Sequence, residues 1–206
     1  MGASGDLGSQ LATAITAAGH TVLCSDPKLK HSLSLTELLN RCDIVHFCLP
    51  EPAFSQPITL QSRQIAVLHD SVMQTSERIN ARWFDGQASI VHLLMNRQKR
   101  VIVRSRTKKE RRISQHLSSL GFSVERLTAR QHDKIMAMTQ APLALLLGLL
   151  PSLNTLHEQG ILTDSAETLR TALHARSLRW TPATITALLK NPELDRLLIL
   201  LRKGTL

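Results

Sequence analysis

The chain has no tyrosine, and aromatic residues make up only 3% of its 206 positions. An aromatic core is therefore excluded. The interior must be built from Leu, Ile, Val and Ala, which suits parallel strands covered by helices. Cysteine is equally scarce: Cys24, Cys42 and Cys48 show no Cys-x-x-Cys spacing. That excludes a zinc ribbon or a dithiol redox motif and leaves buried free thiols in a reducing compartment. The longest apolar run, 141–150, is too short to span a bilayer and contains Pro142. With no secretory signal at the N-terminus, the expectation is a cytoplasmic protein with no membrane partner. Disorder is excluded by a hydrophobic content of 43%.

Acidic residues are also in short supply, 16 against 25 Lys and Arg, for a net charge of +9. Such an excess points to an anionic partner, either nucleic acid or an anionic metabolite. Nine of the basic residues fall between Arg97 and Arg112, with Glu110 the single acid among them. They read as a solvated strand edge and helix face, or as an attractor for an anionic substrate or cofactor. The stretch has no aromatic residue on which a base could stack, and the chain has no helix-turn-helix or RNA-binding motif. Both facts argue against nucleic acid.

The first part of the chain alternates between two periodicities. Helical spacing over 9–18 ends at Gly19; Ser34 with Glu37 three residues on has the capping-box pattern for a helix over 34–41. Strand-like runs occupy 21–24, 43–50, 65–69, 89–94, 101–104 and 122–127, and an amphipathic helix 108–120. Strands interleaved with helices predict an α/β fold with a mainly parallel, doubly wound sheet of Rossmann type. Beyond about Ala129 strand signals cease. Helices are expected over 132–150, over 164–179 with Asp164 as cap, and over 182–189 and 192–201, each of the last two with a proline in its first turn. The expected domains are thus a dinucleotide-binding domain over 1–129 and a short helical domain over 130–206.

Residues 2–8 read Gly-Ala-Ser-Gly-Asp-Leu-Gly. Glycines at this spacing permit a tight turn and a close approach of backbone to a pyrophosphate, and the following helix start presents amides and a positive dipole to it. Gly2, Gly5, Asp6, Leu7 and Gly8 are the candidate phosphate contacts. Asp26 stands eighteen residues after Gly8, where an acid binds the ribose hydroxyls of NAD; Lys28 and Lys30 nearby could instead meet the 2′-phosphate of NADP. The cofactor expected is NAD or NADP, with Asp26 favouring NAD. A Rossmann sheet carries a buried strand immediately before these glycines, and only Met1 precedes Gly2. The expectation is that this strand lies upstream or has been lost.

Several stretches resemble the prephenate/arogenate dehydrogenase family: the glycine turn, Asp43–Pro50, HDSVMQ at 69–74, IVHLLMN at 90–96, and ARQHDKIMAMTQAPLALLL at 129–147. In the last, His132, Asp133, Met136, Ala137 and Gln140 fit the family's pattern; NPELDRLLIL at 191–200 is similar to a late helix. The resemblance implies NAD(P)-dependent oxidative decarboxylation of a small anionic substrate, prephenate or arogenate, in tyrosine biosynthesis, by a homodimer. It implies His92 as the base that accepts the hydroxyl proton, with Ser71 near the substrate hydroxyl. Gln140 and His132 would lie on the substrate side, and Arg179, with Arg176 as rival, would hold a carboxylate. Leu49 and Pro50, at the strand end, would border the cofactor. No metal is implied.

The chain departs from the family pattern at particular positions. The proline expected after the histidine is Leu93, and the glycine before it is Ile90. The aspartate and lysine that flank the serine motif are Leu68 and Met73. In the late motif a leucine is replaced by Pro142 and a histidine by Ala144. These departures leave two other readings open: a diverged, non-catalytic relative that binds a dinucleotide or a protein partner, and a basic nucleic-acid-binding protein on the same fold.

Overall fold

A computed structural model describes residues 1–50, 53–94, 100–104, 108–178 and 180–203. Arg179 lies outside the described residues, as do Arg97, Lys99 and Arg106 of the basic stretch. The chain forms two compact units, Met1–His132 and Asp133–Leu206.

The first unit is built on a five-stranded sheet in the order β1 (Ile44–Phe47), β2 (Ile65–His69), β3 (Ser89–Leu94), β4 (Arg100–Arg104), β5 (Ser123–Leu127). β1, β2 and β3 are parallel; β4 is antiparallel to β3 and parallel to β5. Its helices are α1 (Asp6–Ala17), α2 (Leu35–Arg41), α3 (Met73–Trp83) and α4 (Lys108–Ser119). The mainly parallel, Rossmann-type sheet expected from the alternation of periods is therefore present. Alternate residues of each strand face opposite sides. Ile65, Val67, Val91, Val101 and Val103 pack on one side with Leu11 of α1 and with Ile113 and Leu117 of α4. On the other side Val45, Phe47, Ala66 and Leu68 pack with Ile79 of α3 and with Phe84. Each such side chain, fully buried, contributes on the order of 2 kcal/mol.

Three local features differ from the sequence expectation. The strand-like run 21–24 is not in the sheet: a strand exists only through a ladder partner, and none of the five strands lies beside it. Helix α3 stands where the sequence reading places no helix, and two of its buried positions are the polar residues Ser76 and Asn80. Asn80 is nevertheless satisfied: its side chain donates to the Ala88 carbonyl at 2.9 Å and accepts from the Ala88 amide at 2.8 Å, tying α3 to the start of β3. Finally, the basic stretch is not solvated throughout. The Arg104 side chain is buried and pairs with the equally buried Glu110 at 2.6 Å, and with Glu77 at 3.3 Å.

The second unit is helical: α6 (Ala141–Leu147), α7 (Leu150–Glu158), α8 (Asp164–Ser177), α9 (Pro182–Leu189) and α10 (Pro192–Arg202), with α5 (Ala129–Thr139) crossing the division between the units. The single helix expected over 132–150 is interrupted. Pro142 lacks an amide and its ring would strike the carbonyl four residues back, so it opens α6 instead of continuing α5. Pro151 begins α7 in the same way. The cap of α8 is Thr163, not Asp164: the Thr163 hydroxyl accepts from the Ala166 amide. Thr181 and Asn191 cap α9 and α10. Buried Asn191 also donates to the Asp133 carbonyl at 2.8 Å. Among the described residues no single helix is long and apolar enough to cross a membrane.

Candidate active site

The glycine turn closes against the C-terminal end of β1. Gly2 has φ +73°, a conformation that strains any residue with a Cβ. A Cβ there would stand 2.5 Å from the Cys48 carbonyl oxygen and 3.1 Å from Leu49. At Gly8 a Cβ would lie 2.1 Å from the Gly2 carbonyl oxygen and 3.0 Å from the Cα of Ala3. These two glycines let the first turn of α1 press directly on residues 2–3. Gly5 is the N-cap of α1 and makes no side-chain cap. The amides of Asp6, Leu7 and Gly8 therefore head a helix with no internal acceptor for them. The Asp6 carboxylate is favoured by the helix dipole, but it is the amide of Asp6, not its carboxylate, that suits a phosphate.

Asp26 ends the extended segment that follows α1. Its carboxylate accepts from the Ser4 amide at 3.0 Å, the Ser4 hydroxyl at 2.7 Å and the Lys28 amide at 2.9 Å. The Lys28 amide, then the Ser4 hydroxyl and amide, hold the carboxyl below its ordinary pKa. About four lone-pair positions are available on a carboxylate, so one remains for a hydroxyl. Ser4 is not among the residues the sequence singles out; a serine between two glycines carries no signal until the turn brings it to Asp26. Lys28 and Lys30 are exposed beside this acid. Leu49 is half-buried and Pro50 exposed, directly after β1.

At the same end of the sheet, β2 runs into Asp70 and Ser71, and β3 carries His92 one residue past the last β2–β3 pair, His69 with Val91. Ligands of open α/β sheets bind outside the carboxyl ends of the strands. His92 Nδ1 lies 2.7 Å from His132 Nε2, the rings meeting edge to face at 80°. His132 is buried, on the first turns of α5. Burial, and then the neighbouring His132, push the His92 pKa down to about 3, so its imidazole is neutral at pH 7. Ser71 is half-buried between β2 and α3. Gln140 is the N-cap residue of α6 in the second unit, with its amide donating to the Met136 carbonyl. Arg176, the rival to Arg179, lies over the Trp180 ring at 4.8 Å.

A second histidine pair, to which the sequence motifs assign no role, lies on the opposite face of the sheet. His46 Nδ1 and His69 Nε2 are 2.9 Å apart with stacked rings. Burial pushes His69 down to about 3, and burial with the neighbouring His69 and His116 holds His46 well below its ordinary value. Strand parity places both on one face, but only the register of β1 on β2 makes them neighbours.

The fold defines the class: a Rossmann-type α/β unit followed by helices. Among solved structures, the chain is similar to Aquifex aeolicus prephenate dehydrogenase in complex with hydroxyphenyl propionate and NAD+, with a TM-score of 0.67 and 14% identity over 96% of this chain and 84% of that one. It is also similar to a Corynebacterium glutamicum protein described provisionally as a prephenate dehydrogenase, with a TM-score of 0.63 and 14% identity over 96% of this chain and 77% of the other. At this identity the likeness establishes the fold. No family model matches the chain, and no curated protein matches it significantly.

Proposed function

We propose that the chain is a nicotinamide-dinucleotide-dependent dehydrogenase that oxidatively decarboxylates prephenate or arogenate, with His92 as its base. The observation that carries the reading is the 2.7 Å contact of His92 with His132 at the carboxyl end of the sheet that also bears the glycine turn. If His92 donates its Nδ1 proton to His132 Nε2, its own Nε2 keeps a lone pair. That lone pair is the acceptor a carbinol proton requires, and His132 is the positioning residue that selects this tautomer.

The first unit fits the nucleotide. The phosphates would lie at Gly5 and the amides of Asp6, Leu7 and Gly8, close to Gly2, with Leu49 and Pro50 bordering them. Asp26 would take a ribose hydroxyl through its remaining acceptor position, which favours NAD over NADP. When bound, the nicotinamide supplies a hydride acceptor. The chain's own part is to orient the substrate carbinol and to take its proton. As hydride leaves the carbinol carbon, the hydroxyl becomes strongly acidic and its proton passes to His92. Carbon dioxide is lost from the ring as it becomes aromatic. A base near pKa 3 suffices for so acidic a proton, and a dianionic substrate would raise it. Ser71 is assigned to the substrate hydroxyl, Gln140 to the substrate side and Arg179 to a substrate carboxylate, on the family resemblance. A homodimer through the second unit is supported by apolar residues left exposed there, Met138, Leu178, Ile199 and Leu201; a monomeric mass at high concentration would refute it.

A second reading is favoured by where the departures from the family pattern sit. Met73, Leu93 and Ala144 are all buried, and Met73 and Ala144 lack the charge and the ring nitrogens of the lysine and histidine that the family pattern has there. They suit a relative that binds a dinucleotide without turning over. The deciding measurement is NAD(P)H absorbance with prephenate and with arogenate, each with NAD and NADP, beside His92→Asn. The dehydrogenase predicts turnover that falls roughly 10²- to 10⁴-fold in the variant. A folded sample that binds NADH but turns over neither substrate belongs to the second reading.

A further inference from the structure

Asp26 is fixed at its backbone and at both carboxylate oxygens. Its amide donates to the Ser32 hydroxyl at 2.9 Å, and its carbonyl accepts from the Leu29 amide at 2.9 Å. Oδ1 accepts from the Lys28 amide, and Oδ2 accepts from both the amide and the hydroxyl of Ser4. A carboxylate oxygen has about two lone-pair positions, so Oδ2 is filled and Oδ1 keeps one. The adenosine ribose of a dinucleotide brings two neighbouring hydroxyls, 2′ and 3′. Asp26 has a place for one of them. The other needs a second acceptor close by.

The Ser4 hydroxyl has the required chemistry. It carries one proton and two lone pairs. The proton is spent on Asp26 Oδ2 at 2.7 Å, which leaves the oxygen as an acceptor. Donation to a carboxylate also polarises that oxygen and strengthens it in this role. Burial sets the order of access: Asp26 is only 8% exposed, whereas Ser4 is exposed. A ligand arriving from solvent therefore meets the Ser4 oxygen in front of Oδ2.

We propose that Ser4 is a ribose-binding residue: its hydroxyl oxygen accepts the 3′-hydroxyl of the adenosine ribose, and Asp26 Oδ1 accepts the 2′-hydroxyl. The assignment of the two hydroxyls follows from covalent order. The 3′ carbon adjoins the carbon that bears the 5′-phosphate arm, and the phosphates belong to the turn that contains Ser4. The 2′ carbon lies one bond further out, toward Asp26. The pair also selects between cofactors. Both oxygens present lone pairs, so a 2′-hydroxyl finds an acceptor, whereas a 2′-phosphate sets its charge against that of Asp26. The inference rests on the dinucleotide-binding half of the proposed function and not on its catalysis.

The test titrates the full chain and its Ser4→Ala variant with three ligands: NADH, and its analogues lacking the 2′- or the 3′-hydroxyl of the adenosine ribose. Nicotinamide fluorescence gives each dissociation constant. Ser4→Ala keeps the backbone amide on Oδ2 and the Lys28 amide on Oδ1, so Asp26 stays in place. The position that the variant frees on Oδ2 lies behind the lost hydroxyl, further from the ligand. In the unaltered chain each missing ribose hydroxyl is expected to weaken binding about 10-fold. Ser4→Ala should weaken NADH and the 2′-deoxy analogue about 10-fold each. It should leave the 3′-deoxy analogue unchanged, because the hydroxyl that Ser4 serves is already gone. If Ser4 acts only by holding Asp26, the variant lowers all three affinities alike, and that result overturns the proposal. An unchanged NADH affinity in the variant overturns it too, as does a loss confined to the ligands that keep the 2′-hydroxyl. Failure of the folded, unaltered chain to bind NADH at all overturns the dinucleotide reading itself, and the proposal with it.

Discussion

Gly8→Ala is the sharpest probe of the glycine turn. The added Cβ would stand 2.1 Å from the Gly2 carbonyl oxygen, 2.9 Å from the Gly2 carbonyl carbon and 3.0 Å from the Cα of Ala3. All three are backbone atoms, so no side chain can swing aside. Relief requires α1 and residues 2–4 to separate by roughly 1 Å, to restore ordinary contact. Two consequences follow. Ser4 moves away from Asp26, weakening two hydrogen bonds to a carboxylate, each worth about 1.5–3 kcal/mol. Leu11, on α1, is drawn from the aliphatic core it shares with Val67 and Val91. A total of about 3 kcal/mol corresponds to a melting temperature lower by about 10 °C and to NADH binding weaker by roughly 100-fold. Calorimetry and titration of NADH fluorescence check both. Unchanged stability together with unchanged NADH affinity would refute the close approach of α1 to the turn, and with it the phosphate site.

Three further outcomes are expected. Glu110→Gln leaves the Arg104 guanidinium buried with the half-exposed Glu77 as its remaining counter-charge among the described residues; it should cost about 3–5 kcal/mol, read by urea denaturation, whereas a solvated basic face would show no change. Asn80→Ala strips the partners from the buried Ala88 amide and carbonyl and should cost about 2–4 kcal/mol by the same assay. Stability should also fall in mild acid. His69 and His92 have folded pKa values of about 3 against about 6.5 unfolded. The unfolded chain therefore binds protons first as the pH drops. Their stabilisation is complete above about 6.5 and is lost from there toward pH 3, at up to about 1.4 kcal/mol per pH unit for each histidine. Denaturation midpoints at pH 7.5, 6 and 5 follow this directly, and His69→Gln should flatten the slope; a pH-independent midpoint would contradict neutral buried rings.

Much of the fold is legible because it is local. Gly19 and Gly121 stop helices wherever the chain goes next, and the Ser34–Glu37 capping box forms within four residues. Strands β2 and β3 have the bounds their apolar runs imply. Helix α3 is hidden because its buried side carries the polar residues Ser76 and Asn80, and Asn80 is satisfied only when the chain turns into β3 and brings Ala88 to it. The interruption at Gln140 is ambiguous in the sequence because one proline can either kink a helix or begin another. In the site, the glycine spacing and Asp26 can be found from composition and distance along the chain. The Ser4 clamp on Asp26 and the pairing of His92 with His132 cannot.

By itself, then, the sequence determined the alternation of strands and helices, the aliphatic core, the glycine turn and its acid. These depend on residue types and short spacings that act through the backbone they belong to. The tertiary structure alone decided which histidines meet, that Arg104 is buried against Glu110, and that residues 21–24 stay outside the sheet. Contacts of this kind join residues 6 to 40 positions apart, or depend on a neighbouring strand. Strand register and helix packing bring them together, and no local pattern encodes either.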